Sequence, residues 1–225
     1  MSEPVLFYIS FGFTIGLVTV KFIVAYLLFK IFQKSKENEL VLGASLLFLF
    51  NGIGRIFMII FDYVLTRFNS NFYSTYLIFY KIGFFIGFTG IACLLFISER
   101  VILKKKSKYM ITIVFSIFLI IALIPVDINI VQIITIIPTT FAMIYLPFSY
   151  LYLARYDKIR IRALSIFAGY FLFFLVGFSI LAEGIVQFYI SLNPTHPLEI
   201  RSIIHIISVF FKVLGMGLIL YGYRR

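Results

Sequence analysis

The sequence predicts an all-α polytopic membrane protein, a single seven-helix transmembrane domain over residues 1–225. Three observations support this fold class. The chain is 62% hydrophobic, and its mean hydropathy is +1.08. Only 13% of its residues are charged, whereas soluble domains carry about 25%, and a chain of this length could not hide so much apolar surface in a water-soluble core. Lysine and arginine residues are also concentrated in every second connection between the predicted spans.

About 20 apolar residues cross the hydrocarbon layer as an α-helix, and seven runs are candidates. The predicted spans are residues 5–30, 40–66, 73–98, 109–125, 128–153, 163–190 and 199–222. The fourth is the shortest, and Pro125 marks its end because proline does not continue a helix. The first run lacks the basic region and cleavage site of a signal peptide, so we expect it to be retained.

Basic residues lie mostly after the first, third and fifth spans and in the C-terminal tail. These 14 residues are Lys30, Lys34, Lys36, Arg100, Lys104, Lys105, Lys106, Lys108, Arg155, Lys158, Arg160, Arg162, Arg224 and Arg225. The other connections carry Arg67 and Arg201. Because basic connections stay in the cytoplasm, we expect a multi-pass protein of the cell membrane with its N-terminus outside and its C-terminus cytoplasmic. The net charge of +11 then needs no nucleic-acid partner, and it attracts anionic lipid headgroups to the cytoplasmic face.

Charged side chains inside the predicted spans are the main functional signal. They are Lys21, Arg55, Asp62, Lys81, Glu183 and Lys212, with Asn51 and His205 as further polar groups. Each charge costs at least about 2.5–3.5 kcal/mol at mid-membrane unless it is paired or hydrated. We therefore expect these groups to turn inward, except that Lys21 is expected to extend its ammonium group to the cytoplasmic surface.

A rise of about 1.5 Å per residue gives the depth of each group. Asp62, Lys81, Glu183 and His205 fall at comparable outer depths, with Arg55 and Lys212 about two turns deeper. Residues seven apart share a helix face, which aligns His205 with Lys212 and places Ser208 between them. The sequence thus predicts an outward-facing ligand-binding pocket with cations at its floor. Its predicted residues are Arg55, Asp62, Lys81, Glu183, His205, Ser208 and Lys212.

Cations outnumber acids four to two inside the spans, which favours a small anionic ligand for this pocket. The alternative is that the charges form interhelical ion pairs, such as Asp62–Lys81 and Glu183–Lys212, that only fix the helix register. Two G-x-x-x-G pairs, Gly12 with Gly16 and Gly83 with Gly87, indicate close helix packing. Pro138 and Pro147 predict a kinked fifth span.

Metal and enzyme chemistry have little support in the sequence. Cys93 is the only cysteine, and of the two histidines His196 lies in a predicted outer loop, so we expect no metal site. The motifs G-x-S-x-G and H-E-x-x-H are absent. Ser208 follows His205 closely, but no third partner for a hydrolase is identifiable. We expect no enzymatic activity.

Seven spans, an outside N-terminus and a mid-membrane lysine, Lys212, that begins the glycine-bearing run "KVLGMGLIL" resemble the microbial rhodopsins. In that family the lysine carries retinal as a Schiff base, so the resemblance implies retinal on Lys212, whereas the other residues imply no cofactor. The chain departs from the family at three points. Ser208 replaces the usual aspartate four residues before the lysine, Lys81 stands in the third span in place of a carboxylate counter-ion, and there is no tryptophan.

Two principal functions follow from the predicted pocket. One is a ligand-binding receptor or sensor that acts through a partner membrane protein, because the connections are too short for an output domain. The other is a small-solute transporter or channel that uses the same cavity, which the proline-bearing fifth span fits. The shortage of charges in the inner half favours the receptor. A third alternative is a structural subunit of a membrane complex.

Overall fold

The computed structural model describes residues 5–35, 38–104, 106–192 and 194–224, without the side chains of Ser70, Thr135, Ile137 and Glu183. Eight α-helices make up most of this part of the chain. They are α1 Val5–Ser35, α2 Glu39–Ile59, α3 Leu77–Val101, α4 Met110–Ile121, α5 Ile128–Leu153, α6 Arg160–Tyr170, α7 Glu183–Leu192 and α8 Pro197–Arg224. No strand occurs in these described ranges, so the all-helical prediction is confirmed for them.

Within the described ranges, six helical segments are long and apolar enough to cross a membrane. They are Val5–Ser35, Glu39–Leu65, Leu77–Val101, Ile128–Leu153, Asp157–Leu181 and Pro197–Arg224. The fourth predicted span contains only α4, whose 12 residues cover about 18 Å, less than the hydrocarbon layer of about 30 Å. A helical membrane architecture is thus supported, while the seventh crossing and the orientation stay predictions.

The helices form a closed ring in chain order. Each of α1 to α5 packs against its successor, α6 packs against α8, and α8 returns to α1. The short α7 lies beside α8. The ring therefore has seven members, including α4, and it surrounds one interior.

Two of these helices depart from regular α-helical geometry. Helix α2 continues as a π-helical turn, Ile60–Leu65, and α6 as another, Phe171–Val176. After a 3₁₀ turn at Ser179–Leu181, Ala182 is extended, with φ −61° and ψ 129°. The predicted sixth span, 163–190, is therefore wrong in its extent. Hydropathy did not show the break because the runs that flank Ala182 and Glu183 on both sides are predominantly apolar.

Glycines bring two helix pairs into backbone contact. A Cβ on Gly54 of α2 would lie 2.4 Å from the carbonyl oxygen of Gly83 and 2.6 Å from the nitrogen of Gly87 on α3. A Cβ on Gly169 of α6 would lie 2.7 Å from the carbonyl oxygen of Gly215 on α8. The packing predicted for Gly83 and Gly87 is confirmed. It is wrong for Gly12 and Gly16, since a Cβ there would meet nothing within 4 Å.

The two ends of the helical ring differ in how completely side chains fill the interior. We call the end next to the basic connections, after α1, α3 and α5, the packed half. Side chains with no exposed surface fill it, among them Leu28, Leu47, Leu94, Leu95, Leu146 and Ile219. We call the other end, next to the α2–α3, α4–α5 and α6–α8 connections, the cavity half. It holds the functional candidates.

Candidate functional site

A cavity of about 440 Å³ occupies the cavity half of the ring. Its walls come from α1, α2, α3, α5, α7 and α8, and from the segment Phe178–Ala182 that follows α6. The deepest lining residues, Lys21, Asn51, Met143 and Lys212, lie near the middles of their helices. The cavity therefore ends where the packed half begins.

Two buried lysines form the floor of the cavity. The Lys21 ammonium donates to Oδ1 of Asn51 at 2.5 Å, and its side chain is 2% exposed. Lys212 is 5% exposed, and its Nζ lies 4.2 Å from the centroid of the Phe178 ring, a cation–π distance. Neither lysine has a carboxylate partner among the described side chains.

A polar network lies above this floor. Arg55 Nη1 lies 3.4 Å from Oδ2 of Asp62, and Arg55 Nη2 lies 3.4 Å from Nδ1 of His205. The same His205 nitrogen is 3.3 Å from the hydroxyl of Tyr63, which donates to Ser10 Oγ at 3.2 Å. The network ties α1, α2 and α8 together. Arg55 and His205 also line the cavity.

Of the seven predicted pocket residues, the structure brings Arg55, Asp62, His205 and Lys212 together at the cavity. It places Lys81 and Ser208 elsewhere. Lys81 Nζ donates to the carbonyl oxygen of Leu123, beyond the end of α4, at 2.7 Å. Ser208 Oγ donates to the carbonyl oxygen of Gly177 at 2.6 Å, so it ties α8 to the chain beside α6. Glu183 begins α7, and its side chain lies outside the described part of the chain.

The predicted ion pairs also differ from those observed. Asp62 pairs with Arg55 on its own helix, whereas Lys81 uses a carbonyl group of the α4–α5 connection. Helical spacing aligned Asp62 with Arg55 correctly. Depth alone suggested Lys81 as a partner, because depth does not reveal which way a side chain points around its helix.

Sequence reasoning misplaced two cavity residues. Lys21 was expected at the cytoplasmic surface, but it turns inward. It lies nine residues before Lys30, about 13 Å deeper, too far for its side chain to span. Arg201 was assigned to an outer connection, but it lines the cavity from the start of α8. Its position four residues before His205 on one helix face was the available signal.

The cavity is amphipathic and predominantly cationic. Its described charged lining residues are Lys21, Arg55, Asp62, Arg201 and Lys212. Most of the remaining wall is apolar or aromatic, including Phe61, Phe68, Tyr80, Phe84, Phe88 and Phe178. Ammonium and guanidinium donors bind carboxylate or phosphate groups through charge-assisted hydrogen bonds. In the described residues no group of three His, Cys, Asp or Glu side chains could hold a metal ion.

Comparison of the chain with protein-family models, curated proteins and solved structures finds no match. The function is therefore inferred from the cavity and its charges.

Proposed function

We propose that this protein is a cell-membrane receptor or sensor, without enzymatic activity, that binds a small amphipathic anion in the cavity. The observation that carries this proposal is Lys212. It is 5% exposed and lines the cavity, and its described contact is the Phe178 ring. A buried cation without a counter-charge is costly, and an anionic ligand would supply that charge.

The charge balance of the cavity supports the same ligand. The described lining has four cations and one carboxylate, Asp62, and that carboxylate is already engaged by Arg55. An anion bound near Lys212 would reduce the excess positive charge, while its apolar part would contact the apolar side chains that form most of the wall.

The positive-inside rule gives this proposal a direction. The cavity half adjoins the connections that carry few basic residues, whereas the packed half adjoins the basic ones. Basic connections stay in the cytoplasm. In a protein with seven spans and an outside N-terminus, the cavity would therefore open toward the exterior. The cytoplasmic face would contact anionic lipid headgroups and the partner membrane protein that carries the signal.

The packed half favours a receptor over a transporter. Below the cavity, Leu47, Leu94 and Leu146 have no exposed surface, and the hydroxyl groups of Tyr150 and Tyr223 are hydrogen-bonded to each other. Transport would require this half to open. The transporter remains the second candidate because Pro138 and Pro147 lie within α5, where they weaken the backbone hydrogen bonding of a cavity-lining helix.

A single introduced tryptophan tests the proposal. The chain contains no tryptophan, so Phe178→Trp would report only on the cavity and would keep an aromatic face for Lys212. The variant is placed in nanodiscs of zwitterionic lipid and titrated with dodecanoate and, separately, with dodecyltrimethylammonium. We expect a saturable fluorescence change with the anion alone.

Two lysine variants in the Phe178→Trp background provide the matched comparison. Lys212→Met should weaken dodecanoate binding by about 10–100-fold, the equivalent of one lost charge-assisted hydrogen bond. Lys81→Met removes a cation outside the cavity and should leave binding unchanged. Folding of each variant is checked by the temperature at which Cys93, the only cysteine, reacts with a thiol label. Equal binding of both amphiphiles, or undiminished binding by a folded Lys212→Met protein, would overturn the proposal.

Vesicle flux separates the remaining functions. A receptor should bind dodecanoate without accelerating its passage across a protein-containing vesicle, whereas a transporter would accelerate it in a Lys212-dependent manner. A structural subunit would do neither.

A further inference from the structure

The cavity opens at its outer end and also through one side wall. Four residues line the cavity at this wall. They are Ile136 and Thr140 on α5, Ala182 directly before α7, and Ile185 within α7. All four are also exposed, Ile136 by 61% and Ile185 by 38%. Residues that line an interior and yet remain exposed mark the place where that interior meets the surface.

Helix packing explains this opening. Helix α5 packs against α6 and against the π-helical turn Phe171–Val176. Helix α7 packs against α8 and the 3₁₀ turn Ser179–Leu181, and in the described part of the chain it does not form a packed pair with α5. The extended residue Ala182 redirects the chain at this level. A gap therefore separates α5 from the Ala182–Val186 segment, although the two helices α5 and α6 pack closely below it.

The depth of the gap indicates its surroundings. Ile136 and Thr140 lie 8 and 12 residues after Ile128, the first residue of α5, or about 12 and 18 Å along the helix. Those depths fall within a hydrocarbon layer of about 30 Å. The nearby α7 also exposes Phe188 by 60% and Leu192 by 67%. The gap therefore faces acyl chains rather than bulk water.

We infer that the ligand is a single-chain anionic amphiphile that enters from the bilayer between α5 and the Ala182–Val186 segment. This inference rests on the proposed function and names the ligand class and its route. The anionic head would reach Lys212 and Arg55, and the chain would lie along Ile136 and Ile185 in the gap. A ligand with two bulky chains would not fit a cavity of about 440 Å³.

Chain length provides the first test of the route. With the Phe178→Trp reporter in vesicles that already contain dodecanoate or tetradecanoate in the same bilayer, the association rate is obtained from the fluorescence relaxation after a temperature jump at several mole fractions of the anion. At equal mole fraction in the bilayer, the aqueous concentration of tetradecanoate is lower by about 15-fold, because two methylene groups are added. Passage through the gap predicts association rates within about twofold of each other, since the bilayer supply is equal. A rate that falls about 15-fold, in step with the aqueous concentration, would overturn the inference.

Steric obstruction of the gap provides the second test. Ala182→Leu adds bulk at a gap-lining position, and Gly217→Leu adds a leucine side chain on α8, away from the gap, where a Cβ would meet nothing within 4 Å. Ala182→Leu should slow association and dissociation by about tenfold or more without a comparable change in affinity, whereas Gly217→Leu should leave both rates unchanged.

The outcomes distinguish the two proposals. If neither fatty anion binds to the Phe178→Trp protein, the proposed function fails. If both bind with Lys212-dependent affinity, but Ala182→Leu matches Gly217→Leu in its rates, only passage through the gap fails.

Discussion

The packed half and the cavity half are built from the same helices, yet their interiors are opposite in character. In the packed half, aliphatic side chains such as Leu28 and Leu95 have no exposed surface. In the cavity half, the same helices present Lys21, Arg55 and Lys212 to an open space. The π-helical turn of α2, with Phe61 and Asp62, lies at the cavity, and such turns often occur at functional sites. Uniform hydropathy thus conceals a densely packed base below a polar cavity.

Helix α8 connects these two regions. It carries Lys212 in the cavity and Tyr223 in the packed half, where the tyrosine bonds to Tyr150 of α5. The stem of Lys212 is seated against Gly177, since a Cβ at that glycine would lie 2.7 Å from the lysine Cγ. A ligand that moved Lys212 would therefore act on a helix anchored at its other end.

The largest expected effect comes from crowding the helix contact of the packed half. In Gly169→Ala, the new Cβ would lie 2.6 Å from Ile219 Cγ1 and 2.7 Å from the Gly215 carbonyl oxygen. We expect a loss of about 3 kcal/mol in the free energy of unfolding, because backbone atoms would have to shift. Unfolding in detergent, followed by labelling of Cys93, measures the loss.

Gly87→Ala is the matched control in the cavity half. Its Cβ would contact only Asn51 Nδ2, at 3.7 Å, so the loss should be about 0.5 kcal/mol or less. Equal losses in the two alanine variants would contradict the close backbone contact between Gly169 and Gly215.

A smaller loss is expected at Glu99, the buried carboxylate of the packed half. Its oxygens accept the backbone N–H groups of Ile111 and Thr112 at 3.2 and 2.8 Å, and also the Thr112 hydroxyl. It therefore caps the first turn of α4. Glu99→Ala should cost about 2 kcal/mol, since these donors would lose their acceptor.

The control for this carboxylate is Glu39, whose pair with Arg100 at 3.0 Å is partly exposed. Glu39→Ala should cost at most about 1 kcal/mol. The same unfolding measurement applies to both variants, and a larger loss at Glu39 would contradict the proposed capping role of Glu99.

A still smaller effect is expected among the tyrosines of the packed half. Tyr150→Phe would leave the buried Tyr223 hydroxyl without its partner, and we expect a cost of about 1–1.5 kcal/mol. Tyr170→Phe removes a buried hydroxyl that has no hydrogen-bond partner in the described part of the chain, so its effect should be about zero or slightly stabilising. Thermal unfolding curves of the two variants give the comparison, and a greater cost for Tyr170→Phe would refute this assignment.

Sequence reasoning reached the helical class and the alignment of Arg55 with Asp62, because both follow from composition and helical periodicity. It could not place Lys81 or Ser208, since the direction of a side chain around its helix depends on the neighbours it packs against. It also missed the break at Ala182, because one extended residue between two predominantly apolar runs leaves no hydropathy signal. The capping role of Glu99 depends on a tertiary contact with α4 that no local pattern records.

The smallest expected effect concerns retinal, which the resemblance to microbial rhodopsins implies for Lys212. A protonated Schiff base requires a nearby anion. The described carboxylate of the cavity, Asp62, is paired with Arg55 at 3.4 Å, and the third-span position of the family's counter-ion holds Lys81. We therefore expect no visible absorption band when all-trans retinal is added to purified protein. Lys212→Ala is the control, because a band that appears in the parent and disappears in this variant would identify a retinal site. The floor of the cavity would then hold a covalent cofactor. The cavity half would be a chromophore pocket, and the packed half would support it.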